Sequence, residues 1–91
     1  MDTHTAGEYL TQLDPRWTHD GRSLRREMDF SDFLSAFATA TAIALLAEQE
    51  GHHPDIEVGW GYLRVRLTTH AAKGLTENDF IMAAKIDALR S

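Results

Sequence analysis

The stretch that decides the fold is DIEVGWGYLRVRL, residues 55–67. Apolar side chains occupy every second position on both sides of Gly59-Trp60-Gly61, and a period of two places alternate side chains on one face of a β-strand. Two such runs around a short glycine-containing segment predict an antiparallel hairpin that turns between Gly59 and Gly61. The alternating residues are Ile56, Val58 and Trp60 in the first arm and Leu63, Val65 and Leu67 in the second.

An earlier hairpin is predicted around Asp20-Gly21, a pair that tolerates the positive φ angles of a tight turn. Its strands are residues 17–19 and 23–28. We expect the aliphatic stem of Arg26 to lie on the core and its guanidinium to reach the rim. In the second strand one face carries Leu24, Arg26, Met28 and Phe30, and the other carries Arg25, Glu27 and Asp29.

The longest predicted element is a helix over residues 31–50, with Ser31 or Asp29 as N-cap and Gly51 ending it in a left-handed conformation. Its apolar and small side chains extend too far around the helix to cover only one sheet face. We therefore expect a second buried face, against a neighbouring subunit. One stripe consists of Phe33, Phe37, Ala40, Ala44 and Ala47, and Leu34, Ala36, Ala38, Thr41 and Leu45 widen it.

Two further helices are predicted at the ends of the chain. The first covers residues 7–13 and is stopped by Asp14-Pro15; the last covers residues 77–91, and Thr76 with Asp79 resembles a capping box at its start. The order helix, strand, strand, helix, strand, strand, helix predicts an α+β fold in one domain, residues 1–91. Its four-stranded antiparallel sheet has helices packed on one face.

Composition limits the class of protein. The chain has 91 residues, no cysteine and a formal net charge of −5, which argues against direct nucleic-acid binding and removes disulfides and thiolate metal sites. Neither a signal peptide nor an apolar run of about 20 residues is evident, so we expect a soluble cytoplasmic protein without membrane contact. A domain this small is marginally stable alone, which favours a homo-oligomer.

Three histidines border the predicted second hairpin: His52 and His53 precede it, and His70 follows it. Antiparallel pairing brings these two ends together, and the carboxylates Glu48 and Asp79 lie nearby in the sequence. Imidazole both gives and takes a proton near neutral pH, and a carboxylate neighbour orients the ring. The constellation therefore predicts proton-transfer chemistry.

Two alternatives compete with this interpretation. Each histidine taken alone is more typical of a solvated loop or cap residue. Three imidazoles with an open position would also suit zinc, but consecutive His52 and His53 at the start of an extended segment tend to point to opposite sides. We therefore expect no metal ion at these histidines.

The segments GHHPDIEVGW, residues 51–60, and TTHAAKGLTENDF, residues 68–80, resemble the signature of the pterin-4a-carbinolamine dehydratase family. The resemblance implies an enzyme that dehydrates a 4a-hydroxytetrahydropterin, recycling tetrahydrobiopterin-type cofactors without a metal or a bound cofactor of its own. It also implies a homodimer or homotetramer. Relatives of this fold include transcription-factor dimerisation and carboxylase assembly proteins, so a non-catalytic binding or assembly module is the alternative.

The resemblance also implies roles for individual residues. The first and third histidines of the site act as general acid and base, the second mainly holds the pterin, and Asp79 supports them. The sequence departs from the commoner family pattern after the third histidine, where Ala71, Ala72 and Lys73 replace an acidic residue and a glycine. The implied catalytic residues are His52, His53 and His70, and the implied substrate contacts are Glu48, His52, His53, Pro54, Trp60, Thr69, His70, Ala71 and Ala72.

Overall fold

The structure is a computed structural model that describes residues 1–89. The predicted α+β fold and its order of elements are confirmed, with a short 3₁₀ helix added before the last helix. That last helix, expected to reach Ser91, ends at Ala88 with Leu89 as its C-cap, and residues 90 and 91 lie outside the described residues. The elements are α1 (Thr3–Leu10), β1 (Thr18–His19), β2 (Leu24–Asp29), α2 (Phe33–Glu50), β3 (Asp55–Gly59), β4 (Tyr62–Leu67), the 3₁₀ helix (His70–Ala72) and α3 (Glu77–Ala88).

The four strands form one antiparallel sheet in the order β1-β2-β4-β3. Both predicted hairpins are present. Asp20 closes the first turn by accepting hydrogen bonds from the backbone N–H groups of Arg22 (2.9 Å) and Ser23 (2.8 Å). Gly61 has a φ of 81° in the second turn, where a side chain would be strained, so glycine is required there.

The three helices cover one face of the sheet. Helix α2 packs on β3 and β4, and α3 packs on β2 and α2. Alternation within β2 and β4 separates a buried face from an exposed charged face, as the period of two predicts. The buried strand residues are Leu24, Arg26, Met28, Leu63, Val65 and Leu67, and the exposed ones are Arg25, Glu27, Asp29, Arg64 and Arg66.

The expected position of Arg26 at the rim is wrong. Its side chain is only 2% exposed, and its guanidinium is paired with Asp87 of α3 and lies 3.6 Å from Asp14. Two carboxylates from distant parts of the chain offset the cost of burying this cation. The indole N–H of Trp17 also donates to Asp87 (2.8 Å), so the pair joins the start of the sheet to the end of α3.

The N-cap of helix α2 lies one residue after Ser31 and three residues after Asp29, the two caps that the sequence predicts. Asp32 is the N-cap, and its carboxylate accepts from the backbone N–H of Ser35 (2.7 Å). Gly51 ends the helix with a φ of 66°, as predicted.

The apolar stripe of α2 that covers the sheet also differs from the prediction. Phe33, Phe37 and Ala44 are exposed, so the buried stripe lies on a different side of the helix. The sequence alone cannot rank two stripes of equal periodicity. The helix buries instead Ala36, Ala40, Ile43 and Ala47.

Helix α1 lies four residues closer to the N-terminus than predicted. Asp2 caps it by accepting from the backbone N–H of Thr5 (2.7 Å), and the helix ends at Leu10. Leu13, expected inside the helix, follows it in the loop and packs against the core. The short carboxylate cap thus moves the start of the helix.

Candidate active site

The left-handed turn at Gly51 determines where the first site histidine goes. The backbone N–H of His52 donates to the carbonyl of Ala47 (3.2 Å), which folds the chain back over the end of α2. The His52 side chain, 17% exposed, therefore faces α3, while half-buried Pro54 leads into β3.

Asp79 is the buried centre of the site. It is fully buried and lies at the third position of α3, where it completes the predicted capping box with Thr76. One carboxylate oxygen lies 2.7 Å from Nε2 of His52. The other accepts from the backbone N–H of Thr76 (2.9 Å) and from the hydroxyl of Thr69 (2.8 Å). Helix capping and histidine positioning thus use the same carboxylate.

The loop after β4 carries the third histidine. A backbone bridge between Thr69 and Gly74 closes this loop around the 3₁₀ helix, and His70 is its first residue. Because Thr69 is bonded to Asp79, the same carboxylate ties His52 to the segment that presents His70. The His70 side chain is exposed and makes no hydrogen bond or ion pair within residues 1–89.

His53 has a separate environment. Its Nε2 contacts the carboxylate of Glu48 one turn back on α2, and both side chains are more than 60% exposed. An exposed pair of this kind contributes little to stability, so it is available for contact with a ligand. The two consecutive imidazoles therefore engage different carboxylates on different helices, as expected for an extended backbone.

Other predicted contact residues divide into two groups. Ala71 and Ala72 are exposed in the 3₁₀ helix beside His70, and Pro54 follows His53 directly. Trp60, 73% exposed, lies in the turn at the closed end of the hairpin, whereas the histidines lie at its open end. Within one subunit, the structure does not bring Trp60 together with the histidines.

Two cavities of different size lie on the surface, and one of them includes a site histidine. The larger, about 640 Å³, lies on the charged sheet face that points away from the helices, and no histidine lines it. Its central Arg64 is already paired with Glu27 (2.7 Å) and Glu57 (2.8 Å). The smaller, about 140 Å³, lies between α2 and α3 and is lined by Glu50, Gly51, His52, Asn78, Ile81 and Met82. We assign the site to the histidine side because the buried carboxylate of Asp79 there joins His52 to Thr69, the residue before His70.

No group of three or more histidine or carboxylate side chains in residues 1–89 is arranged to hold a metal ion. In the same part of the chain, no helix has the length and apolar character needed to cross a membrane.

Comparison with known proteins identifies the family. The model of the family described as pterin 4 alpha carbinolamine dehydratase matches residues 1–89. The chain belongs to this pterin 4 alpha carbinolamine dehydratase family. A Legionella pneumophila protein provisionally named as such a dehydratase is 51% identical over 82 residues, 88% of this chain and 73% of the relative. A similarly named Methylococcus capsulatus protein is 51% identical over 89 residues, 96% of this chain and 78% of the relative.

Solved structures of family-like proteins share the fold. A transcriptional coactivator/pterin dehydratase from Brucella melitensis superimposes with a TM-score of 0.90 and 35% identity, covering 100% of this chain and 98% of that one. A pterin dehydratase-like protein identified as a RuBisCO assembly factor in the alpha-carboxysome gives a TM-score of 0.66 and 28% identity. This match covers 81% of this chain and 86% of that one.

Sequence reasoning missed the part that Thr76 plays in the candidate site. Its hydroxyl lies 2.8 Å from that of Thr69, which is itself bonded to Asp79. The capping-box pattern was a signal for Thr76 and Asp79 as a pair. Nothing local in the sequence connects that cap to a histidine 27 positions from Asp79.

Proposed function

We propose that this chain converts a 4a-hydroxytetrahydropterin, the 4a-carbinolamine, to the quinonoid dihydropterin and water, recycling tetrahydrobiopterin-type cofactors in the cytoplasm. The single observation that carries the proposal is the pairing of His52 with the buried carboxylate of Asp79 in a member of the dehydratase family. A carboxylate-held imidazole is suited to proton transfer.

The chemistry needs one acid and one base. In a carbinolamine, the hydroxyl and an N–H group share a carbon atom. Loss of water breaks the C–O bond, the nitrogen lone pair forms the C=N bond, and the N–H proton leaves. A proton must reach the departing oxygen while another is taken from nitrogen, so the enzyme ends with no net change in protons. We assign these two transfers to His52 and His70.

The remaining residues hold the substrate. We assign His53, with its partner Glu48, to binding of the pterin ring, because the pair is exposed and beside His52 in the chain. Pro54, Ala71 and Ala72 complete the contact surface on the two segments that carry the histidines. The proposal leaves Trp60 out because it lies at the other end of the hairpin.

The test measures dehydration of a freshly generated 4a-hydroxytetrahydropterin by stopped-flow absorbance. Replacing His52 or His70 by alanine should each lower kcat/KM by roughly 10² or more, since general acid/base groups contribute about 10² to 10⁴ in rate. His53→Ala should act mainly on KM. The matched control is His4→Ala on α1, an exposed histidine that pairs with Glu8. A chelator should leave the wild-type rate unchanged.

Wild-type kinetics in both His52→Ala and His70→Ala would contradict the proposed roles. Loss of activity with a chelator and its recovery with zinc would contradict the metal-free mechanism.

We further propose that the protein is a homodimer or homotetramer that uses the exposed face of α2. Phe33, Leu34, Phe37 and Leu45 on this helix are 46%, 76%, 50% and 69% exposed. Each 100 Å² of such surface buried contributes about 2 to 3 kcal/mol before association costs. Phe37→Glu should dissociate the oligomer in light scattering, whereas Gln12→Glu, with the same charge change on a different surface, should not. A wild-type monomer at micromolar concentration would contradict this proposal.

The same apolar face supports a second candidate function, a binding or assembly module, as described for the RuBisCO assembly factor. The two functions are separable by experiment. An assembly module would tolerate His52→Ala and His70→Ala and would lose function in Phe37→Glu. A dehydratase would lose the chemical step in His52→Ala and His70→Ala and keep it in Phe37→Glu.

A further inference from the structure

We infer that Thr76, Thr69 and Asp79 form a directional hydrogen-bond relay that holds neutral His52 as its Nε2–H tautomer, leaving Nδ1 to exchange the proton. The assignment of Nδ1 to catalysis rests on the proposed dehydratase function. The tautomer itself does not, because it follows from the hydrogen bonds.

The direction of the relay follows from which groups can donate. A carboxylate only accepts hydrogen bonds, so each partner of the Asp79 oxygens has to be the donor. The proton between Asp79 and His52 therefore lies on Nε2 of the ring, 2.7 Å from Oδ1. The other oxygen of Asp79 receives the backbone N–H of Thr76, a group that can only donate.

The hydroxyl of Thr69 is committed in the same way. Its single proton points to Oδ2 of Asp79 (2.8 Å), so its oxygen must accept the proton of the Thr76 hydroxyl, also at 2.8 Å. The backbone bridge to Gly74 holds Thr69 in place. With its proton already used, Thr69 has none to give a substrate. We therefore assign Thr69 as a positioning residue, and the substrate contact that the family resemblance implies for it stays a prediction.

The relay leaves one ring atom of His52 available. Nδ1 makes no hydrogen bond within residues 1–89, and His52 is one of the residues that line the cavity of about 140 Å³. The opposite tautomer would direct the lone pair of Nε2 at the Asp79 carboxylate, an unfavourable contact between two acceptors. The free Nδ1 atom and the unfavourable contact in the opposite tautomer both indicate that Nδ1 is the atom that exchanges the proton.

Asp79→Asn provides the sharpest test because the relay dictates how the amide must turn. The N–H of Thr76 requires an acceptor at the Oδ2 position, so the amide oxygen takes that place and the NH₂ group faces Nε2 of His52. Neutral His52 must then switch to the Nδ1–H tautomer. The size of the side chain hardly changes, so the fold is retained.

Imidazole ¹H–¹⁵N correlation spectra report the tautomer directly, without any substrate. We expect Nε2–H for His52 in the wild type and Nδ1–H in Asp79→Asn, with kcat falling by at least roughly 10² because the wrong tautomer is held. Thr69→Val removes one donor to Asp79 and should lower kcat roughly tenfold, and Thr69→Ser should restore it. Thr68→Val, next in the chain but bonded to the carbonyl of Arg22, is the matched control.

Two results would overturn the relay. One is a wild-type spectrum with Nδ1–H as the neutral form of His52. The other is an Asp79→Asn variant that keeps the Nε2–H form. A wild type with the Nε2–H tautomer and no dehydratase activity would leave the relay standing and refute the proposed function alone.

Discussion

Replacing Arg26 by methionine should strongly destabilise the fold, although Arg26 shares its strand face with apolar residues in the sequence pattern. Methionine keeps much of the apolar stem and removes the buried cation. Asp87 then retains two donors, the indole of Trp17 (2.8 Å) and the backbone N–H of Asp14 (3.0 Å), but loses the cation with which it is paired. Removing one member of a buried ion pair typically costs about 3 to 5 kcal/mol.

The structure places the expected value at the low end of that range. Asp87 is 21% exposed and keeps two hydrogen bonds, so we expect the free energy of unfolding to fall by about 3 kcal/mol. Asp14 keeps a charge partner in this variant, because the side-chain hydrogen bond from Arg16 holds the pKa of the Asp14 carboxyl well below its usual range. For a domain of this size, the melting temperature should fall by roughly 12 to 24 °C.

The assay is urea denaturation followed by circular dichroism at one fixed protein concentration, since association changes apparent stability. Arg26→Met, Asp87→Asn and the double variant complete a thermodynamic cycle. The double variant should be more stable than the sum of the single losses predicts, because it leaves no uncompensated charge. Arg26→Lys keeps the charge but not the guanidinium fork, and should fall between wild type and methionine.

A loss below about 1 kcal/mol for Arg26→Met in a folded protein, or strictly additive losses in the cycle, would refute the reasoning. Such a result would mean that water or side-chain rearrangement compensates Asp87.

Two further predictions concern local structure. Lys73 has a φ of 56°, a conformation that costs a residue with a side chain about 1 to 2 kcal/mol. Lys73→Gly should therefore raise the free energy of unfolding by about 0.5 to 1 kcal/mol, once the entropy cost of glycine is subtracted. A lower urea midpoint would contradict this. Backbone N–H groups of Arg22 and Ser23 lower the pKa of Asp20 from 3.8 to about 2, so its stabilising contribution is present above pH 3.8 and lost as the pH falls towards 2. The stability difference between wild type and Asp20→Asn should therefore shrink over this interval in acid titrations; a constant difference would show that Asp20 does not titrate there.

The elements of the fold could be predicted from the sequence because their signals are local. Alternation in residues 55–67, the turn at Asp20-Gly21 and the left-handed end of α2 at Gly51 each depend on contacts within a few residues. The capping box of Thr76 and Asp79 spans three positions and was recognised for the same reason. Errors of one to four residues arose at helix starts, where Asp2 and Asp32 compete with neighbouring polar residues as caps.

For the candidate site, sequence alone determined the residue types and the end of the hairpin at which they gather. Antiparallel pairing of β3 with β4 makes that outcome independent of packing detail. The family resemblance then assigned the residues to one kind of chemistry, and the family is confirmed. The roles of the individual histidines stay predictions.

Only the tertiary structure decided which partners the polar groups take. Arg26 meets Asp87 across 61 positions, and His52 meets Asp79 across 27, through the packing of α3 on the sheet and on α2. Neither spacing carries a periodic signal, because such contacts depend on how whole elements are oriented. The choice between the two apolar stripes of α2 has the same origin: both satisfy helical periodicity, and only close packing on β3 and β4 selects the stripe with the smaller side chains.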